Sequence, residues 1–330
     1  MNRRELLLGM GGAAWAPAAA DPWPAFKARY LAPAGRIVDT GNGGISHSEG
    51  QGYGLLLAEA AGDRESFDQL WRWTGATLAR SEDGIFSWRF DPAAATPVSD
   101  PNNATDGDLL IAWALIRAGR RWRAPDYDAA ARRILSVVAA KLVVETPLGL
   151  VLLPGLDGFR NGGTITLNPS YWVWPALQAF ARVDRDGPWM AVSAAGAKLL
   201  DQAAFGPARL PSDWVDLDGA GALAPAAGRP PRFGFDAVRV PLYLAWAGER
   251  ARLAAFQAFW RPYLLQGNRP PAWIDVVTGE TAPYAASAGV RAVAGWVCGI
   301  DVAPGEAAGD YYGDALGALA ALARRERAAV

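Results

Sequence analysis

Carboxylate side chains stand at three places where an apolar stretch of the sequence begins. Glu49 precedes the first stretch, Asp106 and Asp108 the second, and Asp236 the third. Acids at such positions commonly cap helices, where the helix dipole favours them by about 0.3–1 kcal/mol. If the three stretches run side by side in one direction, the carboxyls meet in one cleft and raise the pKa of at least one of them. A protonated carboxyl beside an ionised one can perform general acid–base catalysis.

Three glycines follow Glu49 at alternate positions, namely Gly50, Gly52 and Gly54. Each costs a helix about 1 kcal/mol relative to alanine, so their repetition indicates that something approaches this helix closely. Two explanations stay open, a bound sugar or a neighbouring helix. His47 stands beside these residues, and we expect it to be a loop residue rather than a catalyst.

The apolar stretches alternate with amphipathic ones along the chain. Stretches that are hydrophobic on nearly every side predict buried helices over 52–61, 109–118, 171–181 and 238–247. Amphipathic stretches predict helices that expose one face over 67–80, 127–142 and 252–264. Two more buried helices are expected near Ala286 and Tyr311. The alternation predicts an all-α fold of six helical hairpins, an (α/α)6 toroid in which the inner helices share one direction and their N-termini converge.

Extended structure is expected to be scarce in this sequence. Only 85–90 and 149–153 suggest short extended segments, and 219–231 is rich in Ala, Gly and Pro, which predicts a long loop. No linker separates one part of the chain from another. We therefore expect a single domain over residues 21–330.

Composition excludes several classes of function. The 330 residues are 51% hydrophobic and carry a net charge of −1, so the basic surface needed for nucleic acid is lacking. A single cysteine, Cys298, forms no internal disulfide, and with a single histidine it provides no His/Cys zinc cluster. We expect no metal or cofactor. Tryptophan is unusually frequent at 15 residues, and most are expected in the core with a minority as platforms for sugar rings.

The first twenty residues have the layout of a signal peptide. A charged head contains Arg3 and Arg4, residues 6–16 are apolar, and residues 18–20 offer an A-x-A cleavage site. The paired arginines also fit a twin-arginine export signal. No later stretch suggests a membrane span. We expect a periplasmic or secreted protein.

Several segments together resemble glycoside hydrolase family 8. Residues 48–54 resemble its proton-donor motif, and 104–118 followed by Trp122 match its second signature throughout. Further segments resemble family sequences at 168–172, 235–239 and 311–314. The similarity runs from about residue 45 to 325 and is greatest to the periplasmic endoglucanases of bacterial cellulose-synthesis systems.

The resemblance implies an (α/α)6 barrel that hydrolyses β-1,4-glucan with inversion. Glu49 is then the general acid, Asp236 the general base that activates water, and Asp106 the residue that binds and helps distort the sugar. An inverting enzyme implies Glu49 and Asp236 carboxyls roughly 6.5–9.5 Å apart, with room for a water molecule. It also implies association with the cellulose-synthesis machinery, and we expect a monomer.

Further residues are assigned to substrate binding. Tyr171 is expected near the cleft, where it would position the water, and Arg239 follows Asp236 closely enough to hold it ionised. The other candidates are Asp108 and three sugar platforms, Trp88, Trp113 and Trp172. For Trp113, a position inside a buried helix also suggests a core role.

Other readings of the same sequence stay open. The acids do not distinguish cellulose from chitosan, mixed-linkage β-glucan or xylan as the substrate. A non-catalytic glycan-binding protein of the envelope is a second alternative, and an all-helical scaffold is a third. The set of converging acids argues against both of these non-catalytic alternatives.

Overall fold

The computed structural model describes residues 21–302 and 309–328, which form mainly α-helices. The helices are α1 Trp23–Tyr30, α2 Ser48–Ala61, α3 Arg64–Thr77, α4 Thr105–Trp122, α5 Pro125–Lys141, α6 Trp174–Val183, α7 Trp189–Gln202, α8 Arg239–Ala247, α9 Ala254–Leu265, α10 Ala288–Cys298 and α11 Tyr311–Ala328. The strands are β1 Ser46–His47, β2 Arg89–Phe90, β3 Val143–Thr146, β4 Gly149–Leu152, β5 Arg160–Asn161, β6 Thr164–Leu167, β7 Val215–Leu217, β8 Leu223–Pro225, β9 Arg232–Phe233 and β10 Ile274–Asp275. The proposed signal peptide, residues 1–20, lies outside the described residues.

Within the described part of the chain, six helices form a closed inner ring. Around this ring α2 packs on α4, α4 on α6, α6 on α8, α8 on α10, α10 on α11, and α11 again on α2. Helices α1, α3, α5, α7 and α9 lie outside the ring, each against one or two inner helices. This arrangement is an (α/α)6 barrel and confirms the predicted fold, including the inner helices expected near Ala286 and Tyr311.

The burial pattern of each helix explains its place in the barrel. Nearly every residue of α2 is buried, because inner helices contact protein on all sides. The outer helix α3 buries one stripe and exposes the rest; the buried residues are Ser66, Phe67, Leu70 and Thr74. The sequence patterns therefore sorted these inner and outer helices correctly.

The glycines after Glu49 make room for neighbouring protein. A Cβ atom on Gly52 would lie 2.5 Å from the Cβ of Leu110 in α4, and one on Gly50 would lie 2.5 Å from the Tyr311 hydroxyl. A Cβ on Gly54 would lie 2.7 Å from Ile37. Of the two explanations that the sequence left open, packing of protein against α2 is therefore the one that the structure supports.

Strands occupy the loops between helices. The expected extended segments are present in part as β2, which pairs with β1, and β4, which pairs with β3. Sequence reasoning missed the antiparallel sheet β5-β6-β7-β8, and β8 lies within 219–231, which was expected to be a loop. These strands span two to four residues each, too few for a period-two pattern to be recognised. Among the described residues, no helix is long and apolar enough to cross a membrane.

Candidate active site

The N-terminal ends of the inner helices meet around a cleft. The start of α4 touches the start of α2, since a Cβ on Gly107 would lie 2.2 Å from Ser48 Oγ. The start of α11 reaches the segment before α8, where the Tyr312 hydroxyl donates a hydrogen bond to the Phe235 carbonyl at 2.6 Å. The cleft is lined by Glu49, Asp106, Asp236 and Arg239, together with aromatic residues. The predicted convergence is confirmed for Glu49, Asp106 and Asp236.

Arg239, the first residue of α8, joins the three acids. Its buried guanidinium lies 3.0 Å from Asp106 Oδ2 and 2.7 Å from Asp236 Oδ1, and it also contacts the Glu49 carboxylate. It donates further hydrogen bonds to Ser170 Oγ at 2.9 Å and to the Tyr53 hydroxyl at 3.2 Å. One positive charge therefore faces three carboxyl groups.

Two of these carboxyls hold protons more tightly than usual. Burial and then the Asp236 charge raise the pKa of Asp106 well above its ordinary value, although the Gly107 N–H opposes this. Burial and then the Asp213 charge raise the pKa of Asp236 to about 7. Arg239 contacts Asp236 as the sequence suggested. Burial and the Asp213 charge nevertheless raise the pKa of this carboxyl, so the role of Arg239 in holding it ionised stays a prediction.

Asp213 is a residue that sequence reasoning missed. Its Oδ1 accepts backbone N–H groups of Gly234, Asp236 and Ala237 at 3.1, 3.1 and 2.7 Å. It lies in a loop before β7, far from Asp236 in the sequence. An isolated aspartate in an irregular segment carries no motif that could have pointed to it.

Asp108 lies behind the cleft wall and not in the cleft. It is fully buried, and its two oxygens accept hydrogen bonds from the Phe86 N–H at 2.9 Å and from Asn103 Nδ2 at 2.7 Å. The prediction that Asp108 binds substrate is therefore wrong. It instead fixes the segment that carries Trp88, which does line the cleft and donates from Nε1 to Asp100 at 2.7 Å.

Two predicted sugar platforms belong to the core. Trp172 is fully buried and donates from Nε1 to the Val192 carbonyl at 2.9 Å, between α6 and α7. Trp113 is 5% exposed and packs edge-on against Trp246 at 4.9 Å between ring centroids. Neither ring has a free face, so the prediction that they bind sugar is wrong, and the core reading of Trp113 is confirmed.

Other aromatic rings do reach the cleft. Tyr171 lines it as predicted, with its ring centroid 5.9 Å from the Arg239 guanidinium carbon. Phe235, which was not singled out, is 65% exposed beside Asp236 and stacks on Tyr312 at 4.1 Å. Its position directly before Asp236 could have indicated it. Exposed aromatic faces next to carboxyls suit an uncharged ring-shaped ligand.

The Nε2 atom of His47 lies 3.3 Å from Asp39 at the rim of the cleft. Within residues 21–302 and 309–328, no three His, Cys, Asp or Glu side chains are grouped as a metal ion would require.

The chain is similar to known proteins over nearly its full length. The sequence profile described as Glycosyl hydrolases family 8 matches residues 6–326. A protein of Novacetimonas hansenii named probable endoglucanase is 46% identical over 320 residues, which cover 94% of this chain and 92% of the relative.

Solved structures give the same picture. Endoglucanase Cel10 from Klebsiella pneumoniae, a family 8 glycosyl hydrolase, superposes with a TM-score of 0.89 at 42% identity and covers 93% of this chain and 99% of its own. Endo-β-1,4-glucanase CMCax from Acetobacter xylinum has a TM-score of 0.89 at 45% identity, with 94% and 99% covered.

Proposed function

The chain belongs to glycosyl hydrolase family 8, and from this premise we propose that it is an inverting endo-β-1,4-glucanase acting on cellulose-type glucan. The named endoglucanases at 45–46% identity over more than nine-tenths of the chain support this substrate. The observation that carries the proposal is the set of three carboxyls held by Arg239 in one cleft.

The exposure of the carboxyls supports their assignment to roles. The side chains of Glu49 and Asp236 are 18% and 20% exposed, whereas that of Asp106 is 3% exposed. In the proposed reaction Asp236 takes a proton from water, whose oxygen attacks the anomeric carbon. Glu49 gives a proton to the departing glycosidic oxygen, and the C–O bond breaks. Asp106 binds the sugar at the cleavage point and helps distort it.

The charge balance of the site favours a retained proton. Three ionised carboxyls around one guanidinium would leave two uncompensated negative charges in a poorly solvated place. Such charges are costly, so the cluster tends to keep a proton at neutral pH. Among the three carboxyls, Asp106 is the one whose pKa is raised well above its ordinary value, so it keeps this proton. A base whose pKa is about 7 suits water activation near neutrality.

The remaining cleft residues complete the proposal. Tyr171 lies beside Arg239, where it would orient the attacking water. Trp88 and Phe235 offer rings that would stack on glucose units on either side of the cleavage point. The carboxyl separation of roughly 6.5–9.5 Å that inversion requires stays a prediction.

Stereochemistry and substrate range test the proposal together. The first product released from a β-linked cello-oligosaccharide should be the α-anomer, as proton NMR would show. Carboxymethyl-cellulose should be cleaved faster than chitosan, lichenan or xylan. The β-anomer as first product would refute inversion, and a preference for another polymer would select that alternative. Unchanged hydrolysis after Glu49→Gln would refute the assignment of the acid, and no hydrolysis of any of these polymers would favour the glycan-binding alternative.

The cellular location, the oligomeric state and the biological role of the enzyme stay predictions. Export is tested by cell fractionation and by N-terminal sequencing of the mature protein, which should begin at Asp21. A monomer of one domain should elute at the mass of one chain. A cellulose synthase gene beside this gene would support a role in cellulose synthesis.

A further inference from the structure

The turn that presents Asp236 is held by a single carboxylate. Asp213 Oδ1 accepts three backbone N–H groups from residues 234–237, including that of Asp236 itself. Given the function proposed above, we propose that Asp213 is a positioning residue for the general base. It holds the backbone of Asp236 at the cleft and couples its own negative charge to the Asp236 carboxyl.

The three hydrogen bonds make the positioning specific. Gly234 and Phe235 precede the base, and Ala237 follows it, so donors on both sides of Asp236 converge on one oxygen. A hydrogen bond to a charged acceptor is roughly twice as strong as a neutral one. Loss of this acceptor would free the turn between β9 and α8, and a shift of about 1 Å at a catalytic group can slow a reaction by about a hundredfold.

The charge coupling follows from the groups that face the two carboxyls. Asp236 faces two cations, Arg239 from α8 and Arg229 from a loop. It also faces two acids, Asp106 from α4 and Asp213 from a loop, and the hydroxyls of Tyr171 and Tyr312. Glu49 acts on it through Arg239. Asp213 itself faces Arg232. After burial, the Asp213 charge is the main cause that raises the pKa of Asp236. Burial likewise raises the pKa of Asp213 to about 6, against its three N–H donors.

Asp213→Asn separates charge from shape. The amide oxygen can still accept the backbone N–H groups, but the negative charge is gone. The acid limb of kcat/KM should therefore move to lower pH by about one unit, because a nearby like charge no longer opposes ionisation of Asp236. Asp213→Ala removes the acceptor as well, and kcat should fall by about a hundredfold.

Asp216→Asn is the matched control. Asp216 lies on β7 three residues away, accepts from the Thr166 hydroxyl at 2.6 Å and the Ala227 N–H at 2.9 Å, and does not line the cleft. The Asp216→Asn substitution should leave the pH profile of kcat/KM unchanged. Thermal unfolding of all three variants shows whether they are folded.

A titration without substrate keeps this inference distinct from the proposed reaction. In protein labelled with ¹³C at aspartate carboxyls, with Asp236→Asn used to assign the signal, the midpoint of Asp236 should fall in Asp213→Asn by about one pH unit. An unchanged midpoint would overturn the charge coupling. Equal activity losses in both Asp213 variants with an unshifted pH profile would mean a structural role only and would overturn the proposal. A shifted midpoint in a chain that hydrolyses no glucan would refute the proposed function and leave the coupling standing.

Discussion

Two clusters of arginine and carboxylate lie at different levels of the same barrel. At the helix starts, Arg239 contacts all three of Glu49, Asp106 and Asp236. Farther along α2, about 15 Å from Glu49 at the rise of an α-helix, Glu59 meets Arg117 at 2.5 Å and Arg121 at 2.7 Å. Glu326 of α11 completes this second cluster with a 2.5 Å contact to Arg117.

The difference between the clusters is their charge balance. In the second cluster two arginines meet two glutamates, and Glu326 also accepts the Trp246 Nε1–H at 2.8 Å. Burial there lowers the pKa of Arg117, but Glu326 and Glu59 outweigh it, so the Arg117 charge is stabilised. In the first cluster the carboxyls outnumber the cation, and the pKa values of Asp106 and Asp236 rise. Equal numbers of arginines and glutamates join helices α2, α4 and α11. The excess of acids around Arg239 instead leaves carboxyl groups that can exchange protons.

Matched amide substitutions should separate these two roles most strongly. Asp236→Asn removes the proposed base and should lower kcat by about 10²–10⁴-fold with little loss of stability. Glu59→Gln should leave kcat within about twofold, but it should lower the free energy of unfolding by about 2–3 kcal/mol, because Arg117 loses a buried partner. Hydrolysis of carboxymethyl-cellulose and urea unfolding measure the two effects. Equal activity losses in both variants would contradict this division.

The pH dependence of the reaction gives the next largest effect. Because Asp236 must be ionised to accept a proton and its pKa is raised to about 7, kcat/KM should fall as the pH drops below about 7. The loss should approach tenfold per pH unit. The Glu59→Gln variant should show the same limb, since the second cluster lies away from the reaction. An acid limb near pH 4 would show that Asp236 titrates as an ordinary aspartate.

The sequence predicted some features of the barrel and the cleft and missed others. The helix periodicity and the acids at helix starts predicted the barrel and the convergence of Glu49, Asp106 and Asp236, because those signals are local and repeat along the chain. Asp213 could not be found, since only the folded loop brings it to residues 234–237. The burial of Trp113 and Trp172 depends on which neighbours pack against them, and residue type does not reveal that.

Tryptophans at the cleft and in the core should respond differently. Trp88→Ala should raise KM for cello-oligosaccharides by about tenfold, equivalent to about 1.4 kcal/mol of binding, with little change in Tm. Trp172→Phe should leave KM unchanged but lower stability by about 2 kcal/mol, because it opens a cavity and removes the hydrogen bond that Nε1 donates to the Val192 carbonyl. Steady-state kinetics and thermal melting distinguish the two. An increase in KM for Trp172→Phe would mean that the ring supports the cleft from behind.

The pH should also influence the stability of the fold. Burial raises the pKa of Asp108 to about 7 from an ordinary 3.8, despite hydrogen bonds from Asn103 and Phe86. Between these values the folded chain holds a proton that the unfolded chain has lost, so stability should fall as the pH rises from about 4 to 7. Asp63 changes the stability in the opposite direction with pH. Burial raises its pKa, but hydrogen bonds from Trp23, Lys27 and Ser66 outweigh this and lower it, so its contribution is present above pH 4 and lost in acid.

Calorimetry from pH 3 to 8 can separate these two aspartates. Asp108→Asn should flatten the fall in Tm between pH 4 and 7, and Asp63→Asn should flatten only the fall below pH 4. The expected change is about 3 °C for each kcal/mol. Buried carboxyls near the cleft would then make the fold most stable in mild acid, where the base Asp236 is protonated. If Asp108→Asn left the slope between pH 4 and 7 unchanged, proton uptake by the fold would be confined to Asp213 and the Arg239 cluster.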